Sequence, residues 1–87
     1  MEHQVGSIEK AHKEEGLRKI GELKRKIDTT KDNIEASEEI IVGTASDAQR
    51  KKLIEKNTQR KHAVGSMKKE IRDIEQTIDE RGREVST

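Results

Sequence analysis

Two stripes of apolar residues at three- and four-residue spacing run through the chain: Ile20, Leu23, Ile27, Ile34 and Ile41, then Leu53, Val64, Met67, Ile71, Ile74 and Ile78. Spacing of this kind collects apolar side chains on one side of an α-helix. Between the stripes lies Gly43-Thr44-Ala45-Ser46-Asp47, a short polar break over which the second helix can fold back onto the first. The expected fold is all-α: an antiparallel two-helix hairpin with a coiled-coil-like seam, able to assemble further into a helical bundle.

Local signals mark the helix ends. Gly43 follows the last apolar residue of the first stripe and predicts a stop in the left-handed conformation. Thr44 and Ser46 are candidate N-caps for the second helix, Ser46-Asp47-Ala48-Gln49 has the form of a capping box, and Asp47 suits the positive end of the helix dipole. Gly16 and Gly21 each weaken a helix by about 1 kcal/mol relative to alanine. The expected organisation is a frayed segment over 1–16, a helix over about 17–42, a turn at 43–46, a helix over about 47–81 and a loose tail over 82–87.

Placing Ile20 at heptad position a pairs Ile20 with Ile71, Leu23 with Met67 and Ile27 with Val64 across the seam. Polar residues then meet as well, with Thr30 and Ile34 opposite Arg60 and Asn57. Such a layer either fixes the register at some cost in stability or marks a seam that is simply wet, and the spacing leaves both open. On one flank Lys24 and Lys31 face Lys61 and Lys68, a four-lysine edge. On the other flank Lys19 and Lys26 lie near Glu70. Ile40 and Ile54 adjoin the stripes beside the turn and widen the apolar face beyond what two helices bury, so self-association or a helical protein partner is expected.

Composition narrows the function classes. With 28% hydrophobic and 43% charged residues and no Phe, Tyr, Trp, Pro or Cys, the 87-residue chain cannot build an ordinary globular core. Without cysteine there is no disulfide, thiol redox site or cysteine-ligated zinc. No apolar run approaches a membrane span, and Met1-Glu2-His3-Gln4-Val5 does not open a secretory signal, so a soluble cytoplasmic protein is expected. His3, His12 and His62 lack ligand or triad spacing, and Asp28, Asp32, Glu35 and Glu39 occupy a solvated face. No catalytic residue, metal, cofactor or small-molecule substrate is expected.

Net charge is +1, yet Arg50, Lys51, Lys52, Lys56, Arg60, Lys61, Lys68 and Lys69 are balanced over 50–69 only by Glu55. A solvated helix face is the simpler reading of that run. The candidate contacts for an anion or a partner are Lys24, Lys31, Arg50, Lys51, Lys52, Lys56, Lys61, Lys68 and Lys69, with nucleic acid the less favoured partner. Backbone phosphate binding needs only cations, whereas base stacking needs aromatic groups that are absent.

Leu53-Ile54-Glu55-Lys56-Asn57-Thr58-Gln59-Arg60-Lys61, followed by Val64, Met67 and Glu70-Ile71, resembles the segment that marks the Tlp family of small acid-soluble spore proteins. Upstream, Leu23, Thr30, Asn33-Ile34-Glu35-Ala36 and Glu38-Glu39 are similar to that family's first helix. The resemblance runs from about Ile20 to Asp73. It implies a non-enzymatic structural or storage protein of the bacterial forespore and spore core, degraded on germination. The family's thioredoxin-like label implies no redox chemistry here, since no Cys-x-x-Cys is present.

Overall fold

The computed structural model describes the backbone of residues 2–86 and the side chains of residues 12–79. It consists of two helices, α1 over Glu2–Gly43 and α2 over Asp47–Ser86, packed antiparallel along their length. The molecule measures 68 × 17 × 13 Å with a radius of gyration of 19.6 Å. A compact domain of this length would have a radius of gyration of about 12 Å. The all-α hairpin expected from the stripes is therefore the fold, drawn out into a rod.

Both helices are longer than the local signals indicate. The first begins at Glu2 rather than near residue 17, and the second runs through Gly82 to Ser86. Glycine lowers helix propensity without breaking the hydrogen-bond ladder, and no proline interrupts either element. Expected fraying at 1–16 and looseness at 82–87 fall largely on side chains outside the described residues. Gly16 has a packing role. A β-carbon there would sit 3.1 Å from Ile78 Cδ1 and 3.3 Å from Ile74 Cγ2, so its missing side chain lets α2 come close.

Among the described side chains the core lies near the middle of the rod. Ile20, Leu23, Ile27, Val64 and Ile71 are buried, and Met67, Ile74 and Ile78 pack against them. Towards the turn the seam thins, with Ile34, Ile41 and Leu53 only half-buried. Two helices cannot enclose a side chain on every side, and among the described residues even the best-covered apolar side chain, Ile27, keeps 6% exposure.

The turn is built differently from the glycine stop expected at Gly43. No described glycine has a positive φ, and Gly43 is simply the last helical residue. The Thr44 N–H still donates to the Ile40 carbonyl at 2.8 Å. What ends α1 is Arg50, reaching back from α2. Its Nε donates to the Ile41 carbonyl at 3.3 Å and its Nη2 to the Thr44 carbonyl at 2.8 Å, while Nη1 holds Asp47 Oδ1 at 2.9 Å. Since α1 has no basic residue in its last turn, this guanidinium also supplies the cation its dipole favours. A left-handed reversal is not needed when a side chain satisfies the terminal carbonyls.

Ser46 is the N-cap of α2, its Oγ accepting the Gln49 N–H at 3.2 Å. The capping box is only half closed. Gln49 Oε1 accepts the Thr44 hydroxyl at 2.6 Å, and that hydroxyl oxygen in turn accepts the Ser46 N–H at 3.2 Å. Thr44 thus relays the reciprocal bond that Gln49 would otherwise make directly.

Gly16 and Gly21, both inside α1, give a direct test. A β-carbon on Gly21 would meet nothing within 4 Å, whereas one on Gly16 would meet two isoleucine methyls. Gly21→Ala is expected to stabilise by about 1 kcal/mol, raising the thermal midpoint by roughly 4–8 °C, and Gly16→Ala by distinctly less. Circular-dichroism melts of the two variants check the difference; equal shifts would mean that α2 does not approach Gly16.

Candidate functional site

The polar side chains of the seam gather at one level, where the apolar stripes thin out. Asn57 is 4% exposed and Ser37 6%, the only buried polar side chains described. Asn57 Nδ2 donates across the seam to the Ile34 carbonyl at 3.3 Å. Arg60 Nη1 donates to Ser37 Oγ and to Asn57 Oδ1, both at 2.8 Å. Two residues of α2 are thereby tied to two of α1, and among the described residues no buried side-chain nitrogen or oxygen lacks a partner. The layer is a bonded cluster, not a wet gap.

Its membership differs from the sequence reading in one place. Thr30 is half-buried, but its hydroxyl donates to the Lys26 carbonyl of its own helix at 2.7 Å. A threonine inside a helix commonly bonds back in this way, so it makes no bond across the seam. Ser37, one heptad further on, takes its place as the partner of Arg60. The long arginine side chain leans towards the N-terminal end of α2, which is the turn end of the rod, and so reaches Ser37 two helical turns beyond Thr30.

The flanks divide the exposed residues. Lys19 meets Glu70 at 3.1 Å, as the heptad positions imply. The opposite flank is defined by Lys61 and Glu38 at 3.8 Å, so the edge read as four lysines also carries a carboxylate. Glu38 shares the flank position of Lys24 and Lys31, a signal present in the sequence. Lys24, Lys31, Lys51, Lys52, Lys56, Lys61, Lys68 and Lys69 are exposed, whereas Arg50 is half-buried and engaged in hydrogen bonds at the turn. Ile40 and Ile54 are 46% and 48% exposed, and Val42 86%. Counted in heptads from the two ion pairs, Ile40 lies on the Lys19–Glu70 flank and Ile54 on the Lys61–Glu38 flank, so they do not form one patch.

Of the expected seam, Ile20, Leu23, Ile27, Asn57, Val64 and Ile71 are buried. Thr30, Ile34, Ile41, Leu53, Arg60, Met67, Ile74 and Ile78 are half-buried. Among the described residues no group of three or more His, Cys, Asp or Glu is placed to hold a metal ion. None of their helices is long and apolar enough to cross a membrane.

The family model described as small, acid-soluble spore protein Tlp matches residues 8–81. The match is wider than the segment that carries the resemblance and includes most of both helices, the turn and the polar layer. No curated protein and no solved structure matches the chain.

A double-mutant cycle on Ser37 and Arg60 tests the layer. Ser37→Ala and Arg60→Ala are each expected to cost about 1 kcal/mol in urea unfolding, with a coupling energy of about 0.5–1.5 kcal/mol. Strict additivity of the two costs would show that the bond contributes nothing to the fold.

Proposed function

The chain belongs to the Tlp family of small, acid-soluble spore proteins, and from that membership we propose that it is a non-enzymatic structural and storage component of the bacterial forespore, held in the cytoplasmic compartment that becomes the spore core. The observation that carries this reading is the use made of the polar side chains. Asn57, Arg60, Ser37 and Arg50 are all committed to hydrogen bonds that join or end the helices. Their chemistry serves the architecture.

The shape favours the second half of the role, release of amino acids on germination. In a rod 17 × 13 Å across, every stretch of backbone lies close to solvent. Among the described residues the apolar core covers only a middle stretch of the rod. Segments with few buried apolar contacts open at low free energy, and proteolysis of such openings tracks how often they occur. A store that must be emptied quickly benefits from that accessibility.

Immunoblots through sporulation and germination test the proposal. The protein is expected to be absent from growing cells, to accumulate in the forespore and to disappear early in germination. Persistence of the intact chain through outgrowth, or equal abundance in growing cells, would overturn it.

A further inference from the structure

We propose that the flank carrying Ala63 binds a second copy of this chain, turned end for end about a two-fold axis that passes beside Ala63. This surface is independent of the storage role. The geometry starts from the Lys19–Glu70 contact, which fixes the flank on which Glu70 lies.

Residues one heptad apart share a stripe along a helix. From Glu70 back along α2, the stripe on this flank reads Lys56, Ala63, Glu70, and the adjoining outer stripe reads Lys52, Gln59, Ser66, Asp73. Each runs from a cation through neutral small or amide side chains to a carboxylate. Reversing either stripe about its midpoint exchanges the charges, so each is complementary to its own reverse. Lys56 and Glu70 lie about 10 Å on either side of Ala63, and Lys52 and Asp73 about 15 Å. A copy turned end for end therefore sets Lys56 against the second copy's Glu70 and Lys52 against its Asp73, each pairing occurring twice. Glu70 already holds Lys19, and a carboxylate with two oxygens accepts both lysines.

The same rotation is tolerated by α1. On this flank it sets Lys26 beside the second copy's Thr29 and Lys19 beside its Ala36, and the single like-charge approach, that of Lys26 to its own counterpart, stands against four attractions. It also brings the exposed Ile40 under the second copy's first helix. Applied to the opposite flank, the operation sets Lys24 against Lys31 twice and brings Lys61 near its own counterpart, three repulsions against the two attractions of Lys51 with Glu75. Charge therefore chooses the face. The product is a four-helix bundle with its two turns at opposite ends and every neighbouring helix antiparallel. A face running most of the 68 Å length gives room for the roughly 800 Å² per partner of an ordinary stable interface.

Sedimentation equilibrium on the full chain tests the proposal, with circular dichroism verifying that each variant keeps its helices. The wild-type chain is expected to dimerise. Lys52→Glu and Asp73→Lys, each replacing two attractions by two repulsions, are each expected to raise the dissociation constant about tenfold. An equimolar mixture of the two variants restores opposite charges at both contacts and is expected to associate as tightly as wild type. Ala63→Arg, at the axis, is expected to give monomer, and Ile54→Asp, on the other flank, to leave the dimer intact. A wild-type chain that stays monomeric at high micromolar concentration would overturn the proposal. So would a dimer indifferent to both charge changes, or a mixture no tighter than its components.

Discussion

Across the seam, the Asn57 side-chain amide reaches the Ile34 carbonyl, and Arg60 bridges from Asn57 to Ser37. An apolar seam between two helices is permissive about alignment. Sliding one helix by a heptad returns Ile to Ile or Ile to Val and changes the buried area little. The polar layer is less permissive: sliding one way takes Asn57 from the Ile34 carbonyl to the level of Ile41, and sliding the other way sets Asn57 and Arg60 against Ile27 and Leu23. Burying an unbonded amide costs about 1–3 kcal/mol, comparable with a substantial part of what so small a core can supply. The Lys19–Glu70 pair, about two heptads further from the turn, is aligned in the same register.

The turn works towards the same alignment from the other side. Arg50 caps the carbonyl end of α1 from within α2, so the helix that is ended and the helix that begins share one side chain. Only the residues of Thr44-Ala45-Ser46 lie between them, and Thr44 and Ser46 are both bonded into the start of α2. A three-residue connection tied in this way restricts the rotation of α2 about its own axis. The seam half nearest the turn is thin in apolar burial, with Ile34, Ile41 and Leu53 half-buried, and is held instead by hydrogen bonds at the turn and at Asn57. The middle stretch beyond it is held by the isoleucine, leucine and valine core. Hydrogen bonding and apolar burial thus divide the rod between them.

How much of this is readable in the residues alone depends on the range of the interaction. The stripes foretell the hairpin and the layers Ile20–Ile71 and Ile27–Val64, because periodicity reports which face is buried. Ser46 as N-cap is legible because capping is decided within four residues. Gly43 misleads for the converse reason: its expected left-handed stop assumes that α1 must cap itself, and the cap comes from a residue on another helix. Thr30 and Ser37 occupy equivalent heptad positions, and only the reach of the arginine side chain decides between them. Ile40 and Ile54 look like one patch when counted outward from the turn, yet the reversal of chain direction places them on opposite flanks. Gly16 reads as a helix weakener until α2 is seen to fill the space its side chain would take.

The distribution of charge connects these levels. Along α1 a basic stretch ending at Lys26 gives way to an acidic one containing Asp28, Asp32, Glu35, Glu38 and Glu39, and along α2 the basic run over 50–69 gives way to Glu70, Asp73 and Glu75. Folding the second helix back sets acidic against basic at the turn end, where Lys61 meets Glu38, and basic against acidic beyond it, where Lys19 meets Glu70. Laid parallel, the same helices would set basic against basic. Exposed pairs of this sort are each worth only about 0.2–1 kcal/mol. Their effect is therefore on which arrangement forms more than on how stable it is. A helix that changes sign along its length is complementary to any helix of the same pattern run backwards, whether that helix follows in the same chain or belongs to another copy. The pattern that selects the hairpin consequently also defines the kind of neighbour the hairpin can accept.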